Sequence, residues 1–114
     1  MNPKKEKGRR LELKVAKLIR DKLGIKAYRM PYSGGSEFAK GDIFCPDLPF
    51  HFELKNQEKV RIWREWQNIR DFKDPVLVIS RANAPILAVI DFEKFLEIVI
   101  KARKFDKYII IEEK

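Results

Sequence analysis

The sequence predicts an α/β (α+β) domain in which helices flank a mixed β-sheet, with elements in the order αβββαββαβ. Three observations carry this reading. Leu11, Val15, Leu18 and Ile19 recur at helical spacing. Phe50, Phe52 and Leu54 alternate with His51, Glu53 and Lys55 at the period of a strand. Two short blocks rich in apolar and β-branched residues, Pro75–Ser80 and Pro85–Ile90, sit between helical stretches. With 114 residues, 45% of them hydrophobic, residues 1–114 are expected to form a single domain around one core.

The elements follow in order. The first helix runs from Lys5 to Leu23 and stops at Gly24. A short strand comes next, at about Lys26–Met30. Pro31-Tyr32-Ser33-Gly34-Gly35-Ser36, continuing to Gly41, has the composition of a loop. Two strands then flank Pro46-Asp47-Leu48-Pro49, a stretch suited to a turn, and the second of them spans Phe50–Lys55. A helix at Ile62–Phe72 leads to the strands Pro75–Ser80 and Pro85–Ile90. A helix from Asp91 to about Arg103 buries Phe92, Phe95, Leu96 and Val99, and Tyr108–Ile111 reads as a last strand. Trp63 and Trp66 read as core or interface anchors rather than base-stacking platforms.

Composition narrows the function classes. No run of about 18 apolar residues is present to cross a membrane. Met1-Asn2-Pro3-Lys4-Lys5 leads into charge, so no secretory signal is expected. The single cysteine, Cys45, permits no intrachain disulfide, and with the single histidine, His51, it cannot build a four-ligand zinc site. One histidine and no glycine-rich nucleotide loop argue against a Ser-His-Asp hydrolase and a P-loop NTPase. The net charge of +8 is unevenly placed. Residues 1–30 hold eleven Lys/Arg against three Asp/Glu, whereas the remainder holds fourteen of each. A basic segment on a neutral domain points to a polyanion, with nucleic acid the expected partner.

The chemistry concentrates in Gly41-Asp42 and Glu53-Leu54-Lys55. With the turn centred between Asp47 and Leu48, Asp42 sits across from Glu53, their Cβ atoms roughly 4.5–5.5 Å apart. Opposed carboxylates repel, so a fold that keeps them is expected to hold a cation between them. Oxygen donors without sulfur or a histidine cluster favour Mg²⁺, with Mn²⁺ as a substitute. Lys55 lies on the face of Glu53, roughly 6.6–6.8 Å further along, where it can orient a water or stabilise charge on a phosphate undergoing attack. Taken alone, Glu53 and Lys55 on an alternating strand would be an ordinary solvent-facing pair.

Gly41-Asp42 with Glu53-Leu54-Lys55 resembles the PD-(D/E)XK nuclease superfamily, with glycine where proline often stands. Within it, the sequence is similar to the archaeal-type Holliday junction resolvases. The similarity runs from Lys4-Lys5-Glu6-Lys7-Gly8 and Glu12, through Asp21-Lys22 and the Pro31–Ser36 loop, to Val60-Arg61-Ile62-Trp63-Arg64-Glu65-Trp66-Gln67, covering residues 1–80. The resemblance implies a restriction-endonuclease-like core. It also implies metal binding by Asp42 and Glu53, completed by the helix-borne Glu12, and catalysis by Lys55. Glu12 shares a helical stripe with Ala16, Ile19 and Leu23, at the border of the buried face. Ser33 matches a loop serine that takes part in cleavage, with Ser36 as its rival, and Gln67 matches a glutamine in the helix after the Glu-x-Lys strand. His51 reads as a strand-edge residue rather than a ligand.

Lys4, Lys5, Lys7, Arg9 and Arg10 lie at the start of the first helix, where positive charge opposes the macrodipole, and this favours a role toward DNA phosphates. The resemblance implies a cytoplasmic, structure-selective, Mg²⁺-dependent endonuclease that resolves four-way (Holliday) junctions by paired symmetric nicks as a homodimer. Ile98, Ile100 and Tyr108-Ile109-Ile110-Ile111 supply apolar surface for an interface. Another PD-(D/E)XK nuclease of flap, repair or restriction-like type, and a non-catalytic DNA-binding module on the same fold, are the alternative readings.

Overall fold

The computed structural model describes residues 3–30 and 42–113, with side chains for residues 3, 5–30 and 42–104. The first helix, α1, spans Pro3–Leu23. It starts two residues before the expected Lys5, because proline is well suited to a first helical position, where no N–H is needed. Gly24 ends it in the left-handed region (φ 66°), its N–H donating to the Arg20 carbonyl at 2.8 Å. Two short strands, β1 (Tyr28–Arg29) and β2 (Ile43–Phe44), pair antiparallel.

The second sheet contains β3 (His51–Asn56), β4 (Pro75–Ser80) and β5 (Leu87–Ile90). β3 and β4 run parallel, joined through helix α2 (Ile62–Ile69), and β5 returns antiparallel to β4. Parallel neighbours need such a crossover, and the helix supplies it. Leu11, Val15 and Ala16 of α1 pack into one core with Ala27, Ile43, Cys45, Leu54, Val76 and Val78. Each large aliphatic side chain buried there contributes about 1.5–3 kcal/mol. Leu77 points to the opposite face of β4, is fully buried, and lies on the side covered by α2 with its buried Ile69. The sheet thus sits between α1 and α2.

The C-terminal third departs from expectation. Helix α3 spans Phe92–Glu113, so Tyr108–Ile111 is helical and the order ends αβββαββα. An apolar run without alternation fits either state, and these residues extend a helix that is already nucleated upstream. The nucleus is well built: Asp91 Oδ1 accepts the Lys94 N–H at 3.0 Å, an N-cap, and Lys94 Nζ reaches Asp74 Oδ1 at 2.9 Å. The burial expected of α3 is absent for Phe92 (70% exposed), Phe95 (46%) and Leu96 (42%), and only Val99 is half-buried. Their apolar stripe meets no described element that would cover it. Trp63 is not a core anchor either, being exposed at the outer face of α2.

Candidate active site

β3 presents different chemistry on its two edges. Towards β4 it makes a regular parallel ladder. Its other edge meets residue 42, just before β2. The Asp42 N–H donates to the Phe52 carbonyl at 2.8 Å, and its Oδ2 accepts the Leu54 N–H at 2.7 Å. The side chain therefore continues a ladder that the backbone abandons, which satisfies a strand N–H that would otherwise be buried without a partner. This corrects the expected register. Asp42 lies opposite Phe52 rather than Glu53, and β2 pairs with β1 instead of forming a regular hairpin with β3. The displacement keeps Asp42 beside Glu53, with its carboxylate drawn to the strand edge.

Alternation along β3 sends Leu54 into the core and turns His51, Glu53 and Lys55 the other way. His51 is buried, its ring stacked on Phe72 with centroids 4.1 Å apart, and its Nε2 lies 3.5 Å from Glu53 Oε2. It is thus an enclosed neighbour of Glu53 rather than a strand-edge residue at the surface. Lys55 Nζ lies 3.5 Å from Glu65 Oε2 on α2, a pairing that positions the amine.

The carboxylates are coupled. Burial pushes the Glu53 carboxyl up to about 7, and the Asp42 carboxylate pushes in the same direction, partly offset by the Lys55 ammonium. Glu12 is buried on α1, and burial followed by the Asp42 charge raises its pKa, opposed by Arg29. Arg29 Nε donates to Glu12 Oε2 at 2.8 Å, a partner from β1 that the sequence does not single out. Asp42 is the common member: its charge acts on Glu12 from one side and on Glu53 from the other.

Among the described residues, no three His, Cys, Asp or Glu side chains are gathered into a ready-made metal cage. The donor chemistry nonetheless suits a hard cation. Mg²⁺ is commonly held by one or two carboxylates plus waters and substrate phosphate, and Asp42 keeps one carboxylate oxygen beyond its bond to Leu54. The cost of desolvating two neighbouring acids is the cost that a divalent charge would relieve.

Residues 3–114 match the family described as "Phage putative PDDEXK endonuclease". The chain belongs to this phage PD-(D/E)XK endonuclease family. No curated protein and no solved structure matches the chain. Membership makes it an endonuclease of the PD-(D/E)XK type, with a restriction-endonuclease-like fold and a DNA substrate, in a group that typically uses a divalent metal. No helix among the described residues is long and apolar enough to cross a membrane.

In this PD-(D/E)XK chain the N-terminal end of α1 docks on the end of β3 that carries Lys55. Asn56 Nδ2 donates to the Lys7 carbonyl at 3.2 Å, and a cavity of about 550 Å³ is lined by Lys7, Gly8, Leu54, Lys55, Asn56 and Glu58, among others. A second cleft, about 220 Å³, gathers Lys7, Arg10 and Arg81 around Asn56 and Glu58. Of the cations expected to bind DNA, Lys7 and Arg10 are thereby placed beside the site. Lys5 and Arg9 are exposed along α1, and the Lys4 side chain lies outside those described. Arg81, in the turn after β4, joins them from a part of the chain whose charge balance gives no hint of it. Gln67 is exposed on the outer face of α2 and is not brought to Glu53 or Lys55. Ser33, Ser36 and Gly41 lie outside the described residues.

Proposed function

We propose that this endonuclease is a metal-dependent, structure-selective enzyme that cuts branched DNA, resolving four-way junctions by paired symmetric nicks as a homodimer. The observation that supports it most is the pair of interacting acids Asp42 and Glu53 beside Lys55, whose strand end shares a cavity with Lys7, next to a second cleft lined by Lys7, Arg10 and Arg81. Asp42 and Glu53 would hold a divalent ion, with Glu12 completing the acidic set. When bound, such an ion supplies Lewis-acid polarisation of a phosphate oxygen and a more acidic water.

The protein's own residues do the remainder. Glu53 must give up its proton to serve as a ligand. Lys55, released from Glu65 by an arriving phosphate, offsets negative charge that builds on phosphorus during attack. The cations of α1 bind backbone phosphates, so selection follows the shape of the DNA and not its sequence. Ser33 is proposed as the loop hydroxyl of the cleavage site, with Ser36 as its alternative, and Gln67 as a DNA contact on α2.

The uncovered stripe of α3 supports the homodimer, since contiguous exposed apolar surface of this kind marks interaction sites. The test is a comparison of immobile four-way junction, flap and linear duplex, each end-labelled and incubated with and without Mg²⁺. Symmetric nicks in the junction, dependent on Mg²⁺ and faster than cleavage of flap or duplex, are expected. Preferential cutting of flap or duplex would replace this substrate assignment with a flap, repair or restriction-like one.

A further inference from the structure

α2 buries one side and displays the other. Ile69 is buried and Glu65 and Trp66 are half-buried, with Glu65 reaching Lys55. Trp63 is 81% exposed, the most exposed large hydrophobic residue described. A single exposed apolar side chain is ordinary. Its company is what sets Trp63 apart. Gln67 and Arg70 follow it at i+4 and i+7, on the same helical stripe, and Arg61 and Arg64 flank it; all four are exposed. The acidic group of α2, Glu65, is turned inward on Lys55; at the far end of the stripe Arg70 lies 4.0 Å from the exposed Asp71 and borders a cleft with Asp74, Asp91, Glu93 and Glu97, so the positive charge toward a ligand is that of Arg61 and Arg64. An aromatic plane, a side-chain amide and the Arg70 guanidinium thus share one stripe, with Arg61 and Arg64 exposed beside it.

This combination fits a nucleobase attached to a phosphate chain: the indole stacks on the base, the amide hydrogen-bonds its edge, and guanidinium groups meet flanking phosphates. We propose that Trp63, Gln67 and these arginines form a stacking site for an unpaired base of the DNA substrate. The proposal rests on the endonuclease reading of Asp42, Glu53 and Lys55. Trp63 stands across α2 from Lys55, roughly one helix diameter or about 10 Å away. At about 3.4 Å per nucleotide step, the stacked base would lie about three nucleotides from the phosphate at Lys55. In continuous duplex both faces of every base are already covered by neighbours. The site therefore selects DNA with splayed or unpaired bases, such as a branch point or a single-stranded segment.

The test measures binding without metal and cleavage with it, as separate arms. In EDTA, anisotropy of labelled single strand, four-way junction and duplex is followed for the native protein, Trp63→Ala and Trp63→Phe. Trp63→Ala is expected to weaken single-strand and junction binding on the order of 5- to 100-fold, while duplex affinity changes by less than about twofold. Trp63→Phe should retain most of the affinity. In a Trp66→Phe background, the emission of Trp63 should be quenched by single strand and not by duplex. Equal losses on all three DNAs, no loss on any, or an effect confined to self-association in sedimentation would each overturn the stacking site. In the Mg²⁺ arm, failure of the native protein to cut any DNA, with selective quenching intact, would remove the endonuclease assignment and still support the base site.

Discussion

At the scale of single residues, Glu53 is where stability and chemistry pull apart. Its carboxyl is pushed up to about 7 in the fold against 4.5 as the ordinary value, first by burial and then by Asp42. Between these values the native state holds a proton that the unfolded chain has released. The contribution of Glu53 to metal-free stability is therefore fully present below about pH 4.5 and is lost as pH rises through about 7. Glu53→Gln removes that loss. At pH 8 without metal it should unfold at a higher temperature than the native protein, while at pH 4 the two should coincide; scanning calorimetry at both pH values is the check. Mg²⁺ should raise the melting temperature of the native protein at pH 8 and do little at pH 5, where protons occupy the site. Lys55→Ala is expected to slow cleavage on the order of 10²–10³-fold, read in single-turnover assays, because one source of charge stabilisation at phosphorus is removed.

At the scale of elements, the end of α1 that bears Lys7 and Arg10 meets the end of β3 that bears Lys55, so the helix proposed to bind phosphate also lines the cavity at Lys55. If about five phosphates are engaged, the logarithm of DNA affinity should fall with the logarithm of salt at a slope of roughly −4 to −5. Lys7→Ala, Arg10→Ala and Arg81→Ala should each make that slope shallower by about one, with similar losses for unrelated sequences. A slope near zero would remove the basic cleft from the interface.

The same elements show what could be read from the sequence. The stripe of Leu11 and Val15 and the alternation of Phe52 to Lys55 are local patterns, and both elements form where those patterns place them. The stripe with Ala16 placed Glu12 only at the border of the buried face, and its burial comes from packing that the stripe does not encode. Its partner Arg29, the partner Glu65 of Lys55 and the arrival of Arg81 are contacts between distant segments that periodicity does not encode. The register of Asp42 slipped by one because its side chain, not its backbone, completes the edge of β3. The C-terminal isoleucines are β-branched and apolar, properties that a helix accepts once it is capped and growing.

At the scale of the whole molecule, α3 carries its apolar side chains into solvent: Phe92, Phe95, Leu96, Ile98 and Ile100 are each at least 38% exposed. A homodimer that covers them gives two active sites related by a two-fold axis, which paired nicking requires. Sedimentation at micromolar concentration should show a dimer, and Phe95→Glu or Ile100→Glu should shift it to monomer. The monomeric variants should leave junctions singly nicked. A native protein that stays monomeric would count against symmetric resolution and leave the acidic site intact.

The most direct test of the site itself is single-turnover cleavage of one labelled branched DNA by the native protein, Asp42→Asn, Glu53→Gln and Lys55→Ala, with binding measured on the same substrate. Mg²⁺-dependent nicking by the native protein, cleavage at least about 10²-fold slower in every variant, and DNA affinity largely unchanged are expected. Native-rate cleavage by all three variants would place the chemistry elsewhere in the molecule.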